Sequence, residues 1–301
     1  MEIEVSLNGI YPRSEKLIKA TRDYDRNRIS YEELLRIYDE DYKELKNLQS
    51  DFNIVSDGLL MWQDLLRPFS VLCNCEINGL KRYFETNTFY RVIKFNDYEL
   101  KNIDKFLEFF KFGNLAILPS LGIFKYFSEN YNLDKIVDIY GEILKLLNEK
   151  GYSHFYFQEP SLGFYKDFEL LDELKLFFKR IRSGVNGKMI LNTYFADISE
   201  VIGKIFEFEI DGIGIDFTLN DIETITRYWK NRDLGLVAGI VDTNNSYIEG
   251  YDNVKKLLDR IMDNLKPKFL ILTGSSDFYF LPRDIANKKL DFLKYLKDKV
   301  Y

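Results

Sequence analysis

Histidine is almost missing from this sequence. Its 301 residues hold one, His154, together with two cysteines, Cys73 and Cys75, and three glutamines. This scarcity restricts the available chemistry. A structural zinc site takes four Cys or His ligands, and a catalytic one takes three drawn from Cys, His and carboxylates, so no metal is expected in this chain. Ser-His-Asp and Cys-His mechanisms would all depend on the same single imidazole. His154 lies in the apolar run YSHFYF, where a hydrogen-bonded core imidazole is the expected role. Cys73 and Cys75 form a C-x-C, too close for an easy mutual disulfide; packing is their expected role, with redox regulation the lesser alternative.

Other absences narrow the class further. The formal net charge is −6 and no segment concentrates Lys and Arg on one strip, which argues against a nucleic-acid partner. No apolar run reaches membrane length and no signal-peptide pattern is evident, so the expectation is a cytoplasmic protein with no membrane contact. No Pro/Gly/Ser-rich linker, low-complexity segment or repeat interrupts the chain, and residues 1–301 are expected to form a single domain. The basic run NKKLDFLKYLKDK has the spacing of an amphipathic helix with a solvated basic face.

What is present is alternation. Eight apolar strand-like runs occur in order: IEVSLNG, FNIVSDG, NLAILPS, HFYFQEP, KMILNTY, IDGIGID, LGLVAGIVD and KFLILTG. A helix-compatible segment follows each. Ser30-x-x-Glu33 forms a capping box before one helix, Gly151 terminates another, and Pro282 can start the last. Eight βα units in this length predict an α/β fold of the (β/α)8 TIM-barrel type. The run TFYRVIKF at 88–95 predicts an extra hairpin inside the connection between the second and third strands, the excursion that also carries Cys73 and Cys75. A doubly wound sheet would need a phosphate-binding glycine fingerprint after its first strand, and none is there.

In such a barrel the strand C-termini and the loops that follow share one mouth. That places Tyr11, Arg13, Asp57, Trp62, Asp64, Gln158, Glu159, Asn192 and Tyr194 there, followed by Asp216, Asp242, Asn244, Asn245, Ser275, Ser276 and Asp277. Several carboxylates facing one cavity repel each other and need a cationic ligand, donors such as Arg13, or raised pKa values. Taken singly, Asp57, Asp216 and Asp277 read as N-caps; taken together, the set reads as a binding cleft.

These residues carry a resemblance. GIYPRSEKLIKA, RISYEELLRIYDEDYKELKNLQSDFNIVSDGLLMWQDLLRP, RYFETNTFYRVIKF, LGLVAGIVDTNNSYIE and KFLILTGSSDFYFLPRDIANKKL follow in order a pattern that resembles the cobalamin-independent methionine synthases. That family has two facing barrels: a C-terminal one that binds zinc and homocysteine, and an N-terminal duplicate that helps to hold the methylated folate. This chain is one barrel long and most resembles the N-terminal one, through FETNTFYR. The resemblance puts the family's His-x-Cys on Tyr194 and Ala196, its zinc-ligating Glu on Asp216 and its last zinc Cys on Ser276. Its proton-donating His falls on Asn244, and its homocysteine contacts fall on Ile10, Leu59 and Gln158. Without soft N and S donors, thiolate activation by zinc is not expected here.

The resemblance therefore implies an accessory, pterin- or folate-holding barrel that acts with a separate zinc-bearing methionine synthase core subunit. It implies ligand contacts from Arg13, Lys19, Asp57, Trp62, Asp64, Asn87, Asn245 and Asp277, with Trp62 as an aromatic wall. The alternatives are a stand-alone methyltransferase using another methyl donor, or an unrelated carboxylate-based barrel enzyme. In either case Glu159, Asp216 and Asp242 would do the acid-base or hard-metal work.

Overall fold

The computed structural model describes residues 3–229 and 233–299. Among these, ten strands form: β1 (Ile3–Val5), β2 (Glu76–Arg82), β3 (Phe89–Lys94), β4 (Leu115–Pro119), β5 (Ser128–Glu129), β6 (His154–Gln158), β7 (Lys188–Thr193), β8 (Gly212–Asp216), β9 (Gly235–Val241) and β10 (Leu270–Gly274). Seven make one sheet in the order β1-β10-β9-β8-β7-β6-β4, and every pairing in it is parallel. Helices wrap it on the outside, so β4, β8, β9 and β10 are buried along their whole length. Strands covered on both faces read as unbroken apolar runs rather than alternating ones, which is why these were visible in the sequence. The architecture is the expected TIM barrel.

One expected strand is not a strand. Residues 52–58, FNIVSDG, occupy the gap between β1 and β4 but join no ladder. Side chains have taken the backbone groups a ladder would use. Gln49 accepts from Ser56 N at 3.1 Å and donates to Ser56 O at 2.8 Å; Asn114 accepts from Val55 N at 2.8 Å and donates to Asn53 O at 2.8 Å. Three remaining backbone bonds still close the barrel here, Tyr11 N to Gly58 O at 2.8 Å and both Asn114 N and Leu115 N to Val55 O at 3.0 Å.

The predicted hairpin is present as β2 and β3, extended by the short β5 into a second sheet. Ser30 caps the helix Tyr31–Leu48 by accepting from Glu33 N at 3.1 Å, and Gly151 follows the helix Leu133–Glu149 at φ +93°. Pro282 accepts the first bonds of the helix Arg283–Lys299. That helix corrects the expectation of a fully solvated basic face. Lys289 is turned inward with 0% exposure, donates to both oxygens of Glu249 at 3.0 and 3.2 Å, and also bonds Tyr247 O. Among the described residues no helix is long and apolar enough to cross a membrane.

Candidate functional site: a stoppered barrel mouth and the cleft beside it

Inside the barrel, below the mouth, three amides from three strands or strand ends lock together. Asn192 Nδ2 donates to Gln158 Oε1 and to Asn8 Oδ1, both at 2.8 Å; Gln158 Nε2 donates to Asn8 Oδ1 at 3.1 Å; and Asn8 Nδ2 donates to Gly274 O at 3.2 Å. All three are buried. The cluster fits because β8 passes it as glycine: a Cβ on Gly214 would collide with the Asn192 amide. Buried amides paired this completely make a floor rather than a binding site.

Above that floor the hairpin reaches over the opening. Tyr83, just past β2, shares a hydrogen bond with the Tyr194 hydroxyl after β7 and stacks on Tyr90 with ring centroids 3.8 Å apart. Phe84, Phe164 and Phe195 pack around them. Phe195 N also reaches Ser275 O at 3.3 Å, tying the β7 loop to the β10 loop. Tyr83, Tyr90 and Tyr194 are wholly buried, and burial raises all three phenols well above their ordinary value. An aromatic stopper stands over the barrel centre. Tyr83 was not singled out from sequence, and only its place in the aromatic FETNTFYR neighbourhood could have signalled it.

The carboxylates expected at the mouth each accept hydrogen bonds from neighbouring groups. Glu159 accepts from Gly122 N at 2.7 Å and from Ser161 Oγ, and burial raises its pKa. Asp57 accepts from Leu59 N at 3.0 Å and Lys111 N at 2.9 Å; burial pushes it up to about 6. Asp64 accepts from Leu66 N and Arg67 N, both at 2.9 Å, and pairs with Arg91 on β3, fixing the root of the hairpin. Asp216 accepts from Thr218 N at 2.8 Å and Thr218 Oγ1 at 2.6 Å; burial, with Asp242 nearby, pushes it up to about 6. Its Oδ2 and Ser276 Oγ are buried without a protein partner. Asp242 accepts from Asn244 N at 2.8 Å and from the exposed Asn245 amide.

Asp277 is the most perturbed of the set. It accepts from Ile10 N at 2.6 Å, and burial pushes it up to about 7. Gly9, at φ +61°, lies against it so closely that a Cβ there would strike the carboxylate. Asp57, Asp216 and Asp277 thus hold loops and turns; Asp277 stands at the N-cap position of the short 3-10 turn Phe278–Phe280, but its side chain bonds Ile10 N instead of capping that turn. Of the three remedies open to clustered carboxylates, raised pKa is the one realised at Asp57, Asp216, Asp277 and Glu159.

Trp62 cannot serve as an aromatic wall. It is wholly buried, donates to Phe109 O at 3.1 Å and packs edge-on against Phe109 and Phe110. His154 is half-buried at the opposite end of the barrel, with Nδ1 at 3.1 Å from Ser153 Oγ; burial, aided by Lys188, lowers it to about 4. It is hydrogen-bonded as expected, but it stands only partly buried at the foot of the barrel and not in the core.

The open space lies to one side. A cleft of about 880 Å³ runs between the loop after β1, the helix Glu15–Asp25, and the start of the helix Arg283–Lys299. Arg13 lines it, and its Nη1 is buried without a protein acceptor. Tyr279 and Arg283 share the wall, although Arg283 is already held by Asp41, Glu44 and Pro12 O. Lys19 is exposed on the same helix but outside the lining, Asn87 is exposed at the hairpin turn, and Asn245 is exposed after β9. Of the expected ligand contacts, Arg13 alone lines this cleft.

Residues 76–266 match the model of the cobalamin-independent synthase N-terminal domain. The chain belongs to that family. The 5-methyltetrahydropteroyltriglutamate–homocysteine methyltransferase of Campylobacter jejuni is 24% identical over 252 residues, covering 73% of this chain and 33% of that protein. The protein of the same name from Lactococcus lactis is 25% identical over 233 residues, covering 69% and 30%. This chain thus spans about a third of the length of these curated relatives. In structure it resembles a B12-independent methionine synthase from a Shewanella species bound to selenomethionine, with a TM-score of 0.80 at 16% identity over 100% of this chain and 98% of that one. A methyltransferase from Methanosarcina mazei gives a TM-score of 0.59 at 11% identity, over 99% and 94%.

Membership in this family raises zinc, and the donor set here does not fit it. Tyr194 and Ser276 offer hydroxyls, Ala196 a methyl group, and Asp216 a carboxylate already bonded to Thr218. Among the described residues no three His, Cys, Asp or Glu side chains converge as metal ligands.

Proposed function

We propose that this member of the cobalamin-independent synthase family is a substrate-holding barrel that works with a separate, zinc-bearing chain, and that the pair transfers a methyl group from a methylated pterin to homocysteine. The observation that carries this reading is the stoppered mouth. The positions at which a zinc barrel of this family would place its ligands are buried, one of them, Tyr194, within the stopper itself, and have hydroxyls, a methyl group and one engaged carboxylate in their place. The chemistry must then come from the part of the relatives' length that this chain does not cover.

Two further features support it. Large apolar side chains stand exposed on the hairpin and on loops that follow three barrel strands: Leu80 at 67%, Phe89, Leu219, Tyr247 at 71% and Tyr279. They ring the mouth face, as a surface covered by another protein would require. The pterin's acidic tail is assigned to the cleft beside the mouth, with Arg13 supplying the charge. A hydrogen bond to a charged group contributes roughly 1.5–3 kcal/mol, so Arg13→Ala is expected to weaken binding of a glutamylated methylpterin by about tenfold to a hundredfold. Calorimetric titration of the pterin into wild-type and variant protein measures this. Equal affinities would remove Arg13, and the cleft with it, from the ligand site.

A further inference from the structure

The helix Arg67–Leu72 ends at Cys73. Asn74 then enters the left-handed region at φ 51°, a conformation Asn tolerates better than most residues bearing a Cβ. Two backbone bonds close the cap: Asn74 N to Val71 O at 3.3 Å and Cys75 N to Ser70 O at 2.9 Å. A disulfide needs Cα atoms about 4.4–6.8 Å apart, and two residues separated by one extended neighbour lie at or beyond that limit. The bend at Asn74 removes the obstacle that the C-x-C spacing alone suggested. Both thiols are free, and Cys75 is the neighbour that most affects the Cys73 thiol.

The two sulfurs differ in access: Cys73 is buried, whereas Cys75 is partly exposed. Lys101, ion-paired with Asp97, stands beside them. Its loop is pinned to the same helix end, because Lys101 N and Asn102 N both bond Leu72 O, at 2.9 and 3.1 Å. Cys75 directly precedes β2, the strand that leads to Tyr83 and the stopper.

We propose that Cys73 and Cys75 are a redox couple that closes reversibly to an intramolecular disulfide by exchange with a low-molecular-weight disulfide. The Cys75 thiolate attacks one sulfur of the small disulfide, whose S–S bond breaks; one thiol leaves and a mixed disulfide remains on Cys75. Cys73, after giving its proton to solvent, attacks the Cys75 sulfur and displaces the second thiol. The protein loses two protons and two electrons, and the reagent is reduced to two thiols. The Cys73 thiol is pushed up by the neighbouring Cys75 and by burial, so the closing step is the slower one. The result ties the root of the hairpin to the preceding helix. None of this depends on the methyl-transfer reading.

Intact-mass spectrometry of the native full chain in oxidised glutathione tests it. The wild type should pass through a single glutathione adduct and end two hydrogens lighter than the starting protein, with neither thiol open to iodoacetamide and both recovered by dithiothreitol. Cys73→Ser should stop at the adduct, and Cys75→Ser should react far more slowly than either. If wild-type protein keeps two alkylatable thiols, or holds the adduct as persistently as Cys73→Ser does, the couple does not exist.

Discussion

As pH rises from 3.8 through about 7, the wild-type protein is expected to lose stability, and Asp277→Asn to remove a large part of that loss. The folded carboxyl titrates near 7 because it is buried, whereas in the unfolded chain it titrates near 3.8. A group whose folded pKa lies above its unfolded one stabilises the fold fully below the unfolded value, and that contribution is lost as pH climbs through the folded value. At 1.36 kcal/mol for each pH unit, the displacement from 3.8 to about 7 is worth roughly 4 kcal/mol. Asp57 and Asp216, each pushed up to about 6, act in the same direction and remain in the variant. An asparagine side chain keeps an acceptor for Ile10 N and carries no proton to lose. Urea midpoints across this pH range should therefore fall more steeply for the wild type, and equal slopes would place the titrating group elsewhere.

Lys289→Met should lower unfolding free energy by about 3 kcal/mol, because removing one partner of a buried ion pair leaves the other charged and unpaired. Glu249 is the group left behind; it also accepts from Asp242 N at 2.8 Å, so the strain falls on the loop after β9 that carries Asp242, Asn244 and Asn245. Replacing both partners, Lys289→Met with Glu249→Leu, should restore part of the loss, since an apolar pair of similar volume avoids the stranded charge. Denaturation of the two variants measures both numbers. A loss below about 1 kcal/mol for the single change would mean that the pair is solvated, as an exposed one is.

These results separate what the sequence made legible from what it hid. The laddered strands β4, β8, β9 and β10 were readable because each is buried along its whole length, the mark of a parallel strand covered on both faces. Residues 52–58 look the same on paper, yet Gln49 and Asn114 take their backbone groups, a competition between side chain and ladder that no periodicity reveals. Lys289 is one lysine among several in its helix, and only Glu249, forty residues earlier, distinguishes it. At the mouth the polar residues were legible as residues at strand ends. Their meaning was not, because Tyr83 arrives from the hairpin and Asn8, Gln158 and Asn192 satisfy one another across the barrel, all contacts between distant parts of the chain. Arg13 was found because it is the charged residue in the turn after β1, and the cleft it lines is bounded by a helix from the other end of the chain.

The proposed role stands or falls on whether this barrel can carry out methyl transfer alone. The direct measurement is methionine formation from homocysteine and a glutamylated methylpterin in the presence of zinc ion, with zinc content determined on the same protein. The isolated chain should form no methionine and retain no stoichiometric zinc, and adding it to a zinc-bearing chain of the family from the same organism should raise that chain's rate to a plateau. Methionine made by the isolated chain, with one zinc bound to each molecule, would contradict the account.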